Sequence, residues 1–144
     1  MTNTSDLEAY PARSTDKLRY CDTDRQGHVN NAVFATFMET GRVEILFGKD
    51  GGYADEGAAF VIARLELDFL GEVRWPGTVE IGTAVLETGR SSVTLEQLVC
   101  QNGQPVARSK TVIVQMNETT RKSQPLSDKA VEQFKNYRKQ VVSA

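Results

Sequence analysis

The sequence predicts an α+β domain in which an antiparallel sheet of about five strands wraps around one long central helix. Three observations carry that expectation. Across residues 30–47, Phe34, Phe37, Met38, Gly41 and Ile45 fall at i, i+3, i+4, i+7 and i+11, on one helical face. From Val61 the period drops to two: Val61, Ala63, Leu65, Leu67 and Phe69 are apolar, while Arg64, Glu66 and Asp68 are charged. Three further strand-like runs then follow one another across tight-turn signals, as consecutive hairpins.

Taken in order, residues 14–21 are expected as a short first strand, ahead of the turn-prone stretch 22–28. Asn30 or Asn31 can cap the helix, because an Asn side chain accepts a bond from a free N–H of the first turn. Gly41 weakens helix propensity but lets the helix lie close to its neighbour. After a Gly-rich loop, 48–57, and the strand ending at Phe69, Trp75-Pro76-Gly77 reads as a turn. Strands are expected at 79–87, 92–100 and 106–116, joined by Gly89-Arg90 and by Asn102-Gly103, which suits a type I′ hairpin. The last helix is expected at about 127–141. Ser127 serves as its N-cap, and Leu126 and Val131 stand in the positions of a hydrophobic staple. The layout is a flexible N-terminal segment, 1–13, followed by one domain, 14–144.

Composition narrows the function. The chain has 144 residues, enough for one domain with its own core, and 17 Lys and Arg against 19 Asp and Glu, a net charge of -2. That balance argues against a nucleic-acid binder, which carries a basic stripe. The N-terminal stretch has no basic region followed by an apolar run, so no secretion signal is expected. No apolar segment approaches the roughly 20 residues of a membrane helix. Cys21 and Cys100 form no CxxC pair, and reduced thiols in a cytoplasmic protein are expected. With His28 as the single histidine, a closed zinc site is not expected. No phosphate-binding Gly-rich motif is present, and no metal or organic cofactor is expected.

The informative stretch is Tyr20-Cys-Asp22-Thr-Asp24-Arg-Gln26-Gly27-His28-Val29-Asn30-Asn31-Ala-Val-Phe34, continuing through Phe37-Met-Glu39-Thr-Gly41-Arg42. It sets a carboxylate just before a helix start, where free N–H groups and the positive dipole end converge. By itself Asp24 reads more readily as a turn residue or a helix-preceding anion than as a catalytic group.

The segment closely resembles the signature of the 4-hydroxybenzoyl-CoA thioesterase-like branch of the hotdog superfamily. The order of elements extends the resemblance over nearly the whole chain after residue 14. The run from Gly27 to Asn31 is also similar to the catalytic segment of plant acyl-carrier-protein thioesterases. The resemblance implies an acyl-CoA thioesterase that makes a free acid and CoA. Asp24 is then nucleophile or general base, and the N-terminus of the central helix polarises the thioester carbonyl. Gly27, His28, Val29, Asn30 and Asn31 then form the substrate and oxyanion contacts. It also implies a homodimer or homotetramer with its site between subunits. The chain departs from many bacterial relatives, which carry Tyr and His at the positions of Asn30 and Asn31, and from the plant enzymes, which carry Asn at that of Gln26.

Other residues have two readings each. Asp22 is expected to bond loop N–H groups. His28 either orients substrate or is a hydrogen-bonded structural residue. Glu39 and Arg42 suit a surface ion pair, though another hotdog branch places its catalytic Glu on this helix, making Glu39 the alternative carboxylate. Cys21 is expected to point into a sheet. Arg64, Arg90, Arg108 and Lys110 are candidate phosphate contacts, or a solvated basic face. The rival functions are a hotdog enoyl-CoA hydratase or dehydratase, and a non-catalytic acyl-CoA-binding module.

Overall fold

The computed structural model describes residues 5–47 and 52–141. Its centre is a five-stranded antiparallel sheet in the order β1-β3-β4-β5-β2. The strands are β1 Ala12–Lys17, β2 Ala58–Phe69, β3 Thr78–Thr88, β4 Ser92–Gln101 and β5 Gln104–Asn117. A short helix α1, Ser5–Glu8, precedes them, the long helix α2 is Asn31–Phe47, and α3 is Asp128–Lys135. Of the Gly-rich loop, residues 48–51 lie outside the described residues.

Helix α2 forms where the apolar period required it. Asn30 is its cap, its Oδ1 accepting the Ala32 N–H at 2.9 Å. Phe34, Phe37, Met38, Gly41 and Ile45 are all buried, the stripe read from the sequence. Gly41 sets how deep the helix sits. A Cβ there would lie 2.6 Å from Gln97 Nε2 and 2.7 Å from Ile81 Cγ2, so only glycine allows this approach. The helix packs chiefly across β1, β3 and β4. The edge strand β2 therefore keeps apolar side chains in the open: Ile62 is 47%, Leu65 38% and Phe69 51% exposed.

Strand β2 also corrects the expected alternation. Ile62 pairs with Ile113 but the next pair is Arg64 with Val112, which leaves Ala63 as a bulge. Leu65, Leu67 and Phe69 share the inner face, as expected. Before the bulge the parity reverses, so that Phe60 and Ile62 face α2 and Val61 does not. The turn of β4 into β5 is as expected, with Asn102 at φ 52° and Gly103 at φ 79°.

Two elements end earlier than expected. The first strand ends at Lys17 rather than at residue 21, because the chain turns into a 3-10 segment, Tyr20–Asp22, closed by Asp22. Cys21 lies in that turn and is exposed, so it does not point into a sheet. The final helix stops at Lys135. Beyond it the Val85 N–H donates to Tyr137 O and the Lys139 N–H to Val85 O, so the tail runs beside β3. The start of α3 is as expected: Ser127 Oγ accepts the Ala130 N–H at 3.0 Å, and Leu126 and Val131 join one apolar cluster.

The segment expected to be flexible, 1–13, is packed over its described part. Leu7 and Tyr10 are buried against Ala84, Leu98 and Cys100 on the outer face of the sheet. The Tyr10 hydroxyl donates to Glu96, which also pairs with Lys139 at 2.6 Å. The Gln140 N–H donates to Ala9 O at 2.7 Å, so the two ends of the chain hold each other.

Candidate active site

The loop before α2 is built from backbone bonds that aim one carboxylate outward. The Asp24 N–H donates to His28 O at 2.8 Å and the Gly27 N–H to Asp24 O at 3.0 Å. Gly27 sits at φ 82°, a conformation that favours glycine, so its place in the turn has a steric cause. Asp24 Oδ1 accepts the N–H of Gln26 at 2.9 Å and of His28 at 3.3 Å. Among the described residues Asp24 Oδ2 meets no donor, so one carboxylate oxygen of the loop is free to accept.

The Gly27 and His28 N–H groups go to Asp24, Val29 N–H to Val73 O, Asn30 N–H to Asp22 O, Ala32 N–H to Asn30 Oδ1 and Val33 N–H to Asn30 O. Among the described residues only the Asn31 N–H of this run has no acceptor. Of the expected site set, then, Gly27, His28 and Asn30 spend their N–H groups within the loop and Val29 on Val73 of the β2–β3 connection, while the Asn31 N–H is left over.

Asp24, Gln26, His28, Val29 and Asn31 line one cleft of about 430 Å³, with Phe34, Phe69, Leu70, Gly71 and Glu72. Its polar lining comes from the loop, Asn31 and Glu72, and its apolar lining from Val29, Phe34, Phe69 and Leu70. Phe34 is buried and meets Phe69 edge-on at 5.2 Å between centroids. Glu72 was not singled out by sequence. Its Oε2 lies 3.2 Å from His28 Nε2 and 3.1 Å from an Arg74 guanidinium nitrogen. The His28 ring is thus tied to the opposite wall. Asp22 is structural, as expected: it is buried and accepts the Arg19 N–H and guanidinium at 2.9 and 3.0 Å.

The other candidates are elsewhere. Glu39 lines a separate cleft of about 310 Å³ between α2 and β2, with Arg42, Val43, Phe60 and Ile62. Arg42 lies 4.0 Å from Glu39, and burial lowers its pKa against the pull of that carboxylate. Arg64 and Lys110 border a third hollow, which the Asp24 cleft does not share, and Arg64 is paired with Glu66. Neither Arg90 nor Arg108 lines the Asp24 cleft. Among the described residues no group of three or more His, Cys, Asp or Glu side chains is placed to hold a metal ion. No described helix is long and apolar enough to cross a membrane.

A five-stranded sheet in this order around one long helix defines a hotdog-fold protein. The model of the thioesterase-like superfamily matches residues 18–134, and the chain belongs to that superfamily. It is similar to a Thermus thermophilus thioesterase solved with coenzyme A and zinc, at 32% identity and a TM-score of 0.79, covering 90% of this chain and 95% of that one. It also resembles a predicted thioesterase from Bacillus stearothermophilus (24% identity, TM-score 0.80, 91% and 98% covered). A DHNA-CoA thioesterase from Staphylococcus aureus shares the fold at 21% identity and a TM-score of 0.72, with 79% of each chain covered. No curated protein sequence matches the chain.

Proposed function

We propose that this chain hydrolyses an acyl-CoA thioester to a free carboxylic acid and CoA, with Asp24 acting at the thioester carbonyl carbon. One observation carries the reading: Asp24, with its free acceptor Oδ2, and Asn31, with its free N–H donor, line one cleft together with Phe34 and Phe69. A thioester carbonyl needs both. Its oxygen gains negative charge as the carbon is attacked, and a helix-start N–H, backed by the positive end of the helix dipole, stabilises that charge. Asp24 either takes a proton from the attacking water or attacks the carbon itself. In the second route it expels the CoA thiolate and forms an anhydride that water then opens. Both routes yield the acid and the thiol.

The loop motif supports the 4-hydroxybenzoyl-CoA thioesterase-like branch. In this reading Gly27, Val29 and Asn30 shape the loop, His28 holds the cleft wall through Glu72, and Asn31 supplies the oxyanion contact. The bound coenzyme A of the Thermus relative supports a CoA substrate. The proposed assembly is a homodimer or a pair of dimers, because β2 is an edge strand with exposed apolar side chains on one face. Two free cysteines suit a cytoplasmic location. The test is thiol release from a panel of acyl-CoA substrates. Release from at least one is expected. Loss of enoyl absorbance without thiol release would support the hydratase rival, and tight binding without turnover the binding module.

A further inference from the structure

Two aromatic side chains stand out of the surface beside the cleft without being part of it. Tyr20 is 74% exposed and Trp75 44%. Their centroids are 5.3 Å apart and their planes meet at 69°. An edge-to-face pair leaves one ring face open to solvent. The backbone beneath is firmly held. Gln101 Oε1 accepts the Arg74 N–H at 3.0 Å, its Nε2 donates to Arg74 O at 2.8 Å, and the Leu18 N–H donates to Gly77 O at 2.9 Å.

The same two segments build the cleft. His28 bridges to Arg74, the Val29 N–H donates to Val73 O, and the Thr23 N–H donates to Tyr20 O. Each ring also follows an exposed arginine, Arg19 before Tyr20 and Arg74 before Trp75, with side chains 68% and 65% exposed. Each guanidinium is anchored by one carboxylate, Asp22 or Glu72, which fixes it while leaving donors free. Exposed aromatic rings, each next in sequence to an exposed arginine anchored by a carboxylate, suit a purine base carrying phosphates, by stacking and charge-assisted hydrogen bonds.

We infer that the Tyr20–Trp75 ledge stacks the adenine of the CoA substrate, with Arg19 and Arg74 meeting its phosphates. This rests on the acyl-CoA reading above. The ledge binds the far end of the substrate, so it governs KM and leaves the chemical step to Asp24.

Trp75 is the only tryptophan of the chain, so its emission reports the ledge directly. The probe is adenosine 3′,5′-bisphosphate, the nucleotide end of CoA without pantetheine or acyl group. Saturable quenching of Trp75 emission and competitive inhibition of acyl-CoA hydrolysis are expected. Trp75→Ala and Tyr20→Ala should each raise KM for acyl-CoA about tenfold. Trp75→Phe should keep most of the affinity. Neither alanine variant should change turnover of the same acyl group on N-acetylcysteamine, which has no nucleotide. Absent quenching, or an unchanged KM for acyl-CoA in both alanine variants while hydrolysis proceeds, overturns the ledge and leaves the hydrolase reading standing. A Tyr20→Ala variant that loses its oligomeric state while the nucleotide still quenches Trp75 emission with unchanged affinity also overturns it, assigning the rings to a second copy of the chain. Saturable quenching with no hydrolysis of any thioester instead retains the ledge and rejects the hydrolase.

Discussion

His28 Nε2 lies 3.2 Å from Glu72 Oε2, joining the two walls of the cleft that holds Asp24. The contact ties the loop before α2 to the connection between β2 and β3. His28 then acts by holding geometry, and removing either partner releases the same restraint. His28→Gln and Glu72→Gln should each lower kcat/KM by about tenfold or less, and the double variant should be no worse than the poorer single one. A double-mutant cycle on kcat/KM checks this. Fully multiplicative losses would show that His28 acts on substrate independently of Glu72.

Gly41 is the closest approach of helix to sheet. Gly41→Ala places a methyl group within 2.8 Å of Thr83 Oγ1 and closer still to Gln97 and Ile81. Such overpacking typically costs about 1–3 kcal/mol, more than the helix propensity gained. Chemical denaturation should show a net loss of stability. A neutral or stabilising result would mean that the helix shifts at little cost.

The two cysteines should behave oppositely. Cys21 is exposed, while burial pushes the Cys100 thiol up to about 11. A thiol reagent should modify one cysteine in the native chain and both in denaturant. The folded state also keeps the Cys100 proton where an unfolded thiol has lost it. Its contribution to stability is therefore full below the ordinary thiol pKa and is lost as pH rises from there toward about 11. Cys100→Ala should flatten the fall of the urea midpoint between neutral and alkaline pH. Equal labelling of both thiols in the native chain would contradict the buried position.

The exposed face of β2 should be an interface. Sedimentation equilibrium should give a dimer or tetramer at micromolar concentration. Leu65→Asp, on the inner face beside the bulge, should shift it toward monomer without unfolding it. A wild-type chain that stays monomeric contradicts the proposed assembly.

How much was legible follows from where each signal resides. The α2 stripe and the α3 cap are local, and the period of a single segment contains them. Half of β2 was legible for the same reason, but the bulge at Ala63 depends on pairing with Val112 and Ile113 in another strand. The burial of Leu7 and Tyr10 was not legible, because the outer sheet face they cover is assembled from β3 and β4. Asp24 and Asn31 stand in one continuous motif. Glu72 reaches His28 from the β2–β3 connection, and nothing in its neighbours marks it.

Attack on the thioester carbon depends on Asp24 Oδ2, and Asp24→Asn removes its charge. The amide keeps the shape of the side chain, and its carbonyl can still accept the Gln26 and His28 N–H groups. It is neither a competent base nor a good nucleophile. Asp22 is a poor control, because it is buried against Arg19. Glu39→Gln serves better, since Glu39 lines the other cleft. Asp24→Asn should lower kcat for thiol release from acyl-CoA by about 10²–10⁴ with KM little changed, and Glu39→Gln should stay near wild type. Near-normal kcat in a folded, oligomeric Asp24→Asn protein, above all with a collapse in Glu39→Gln, would contradict a catalytic role for Asp24.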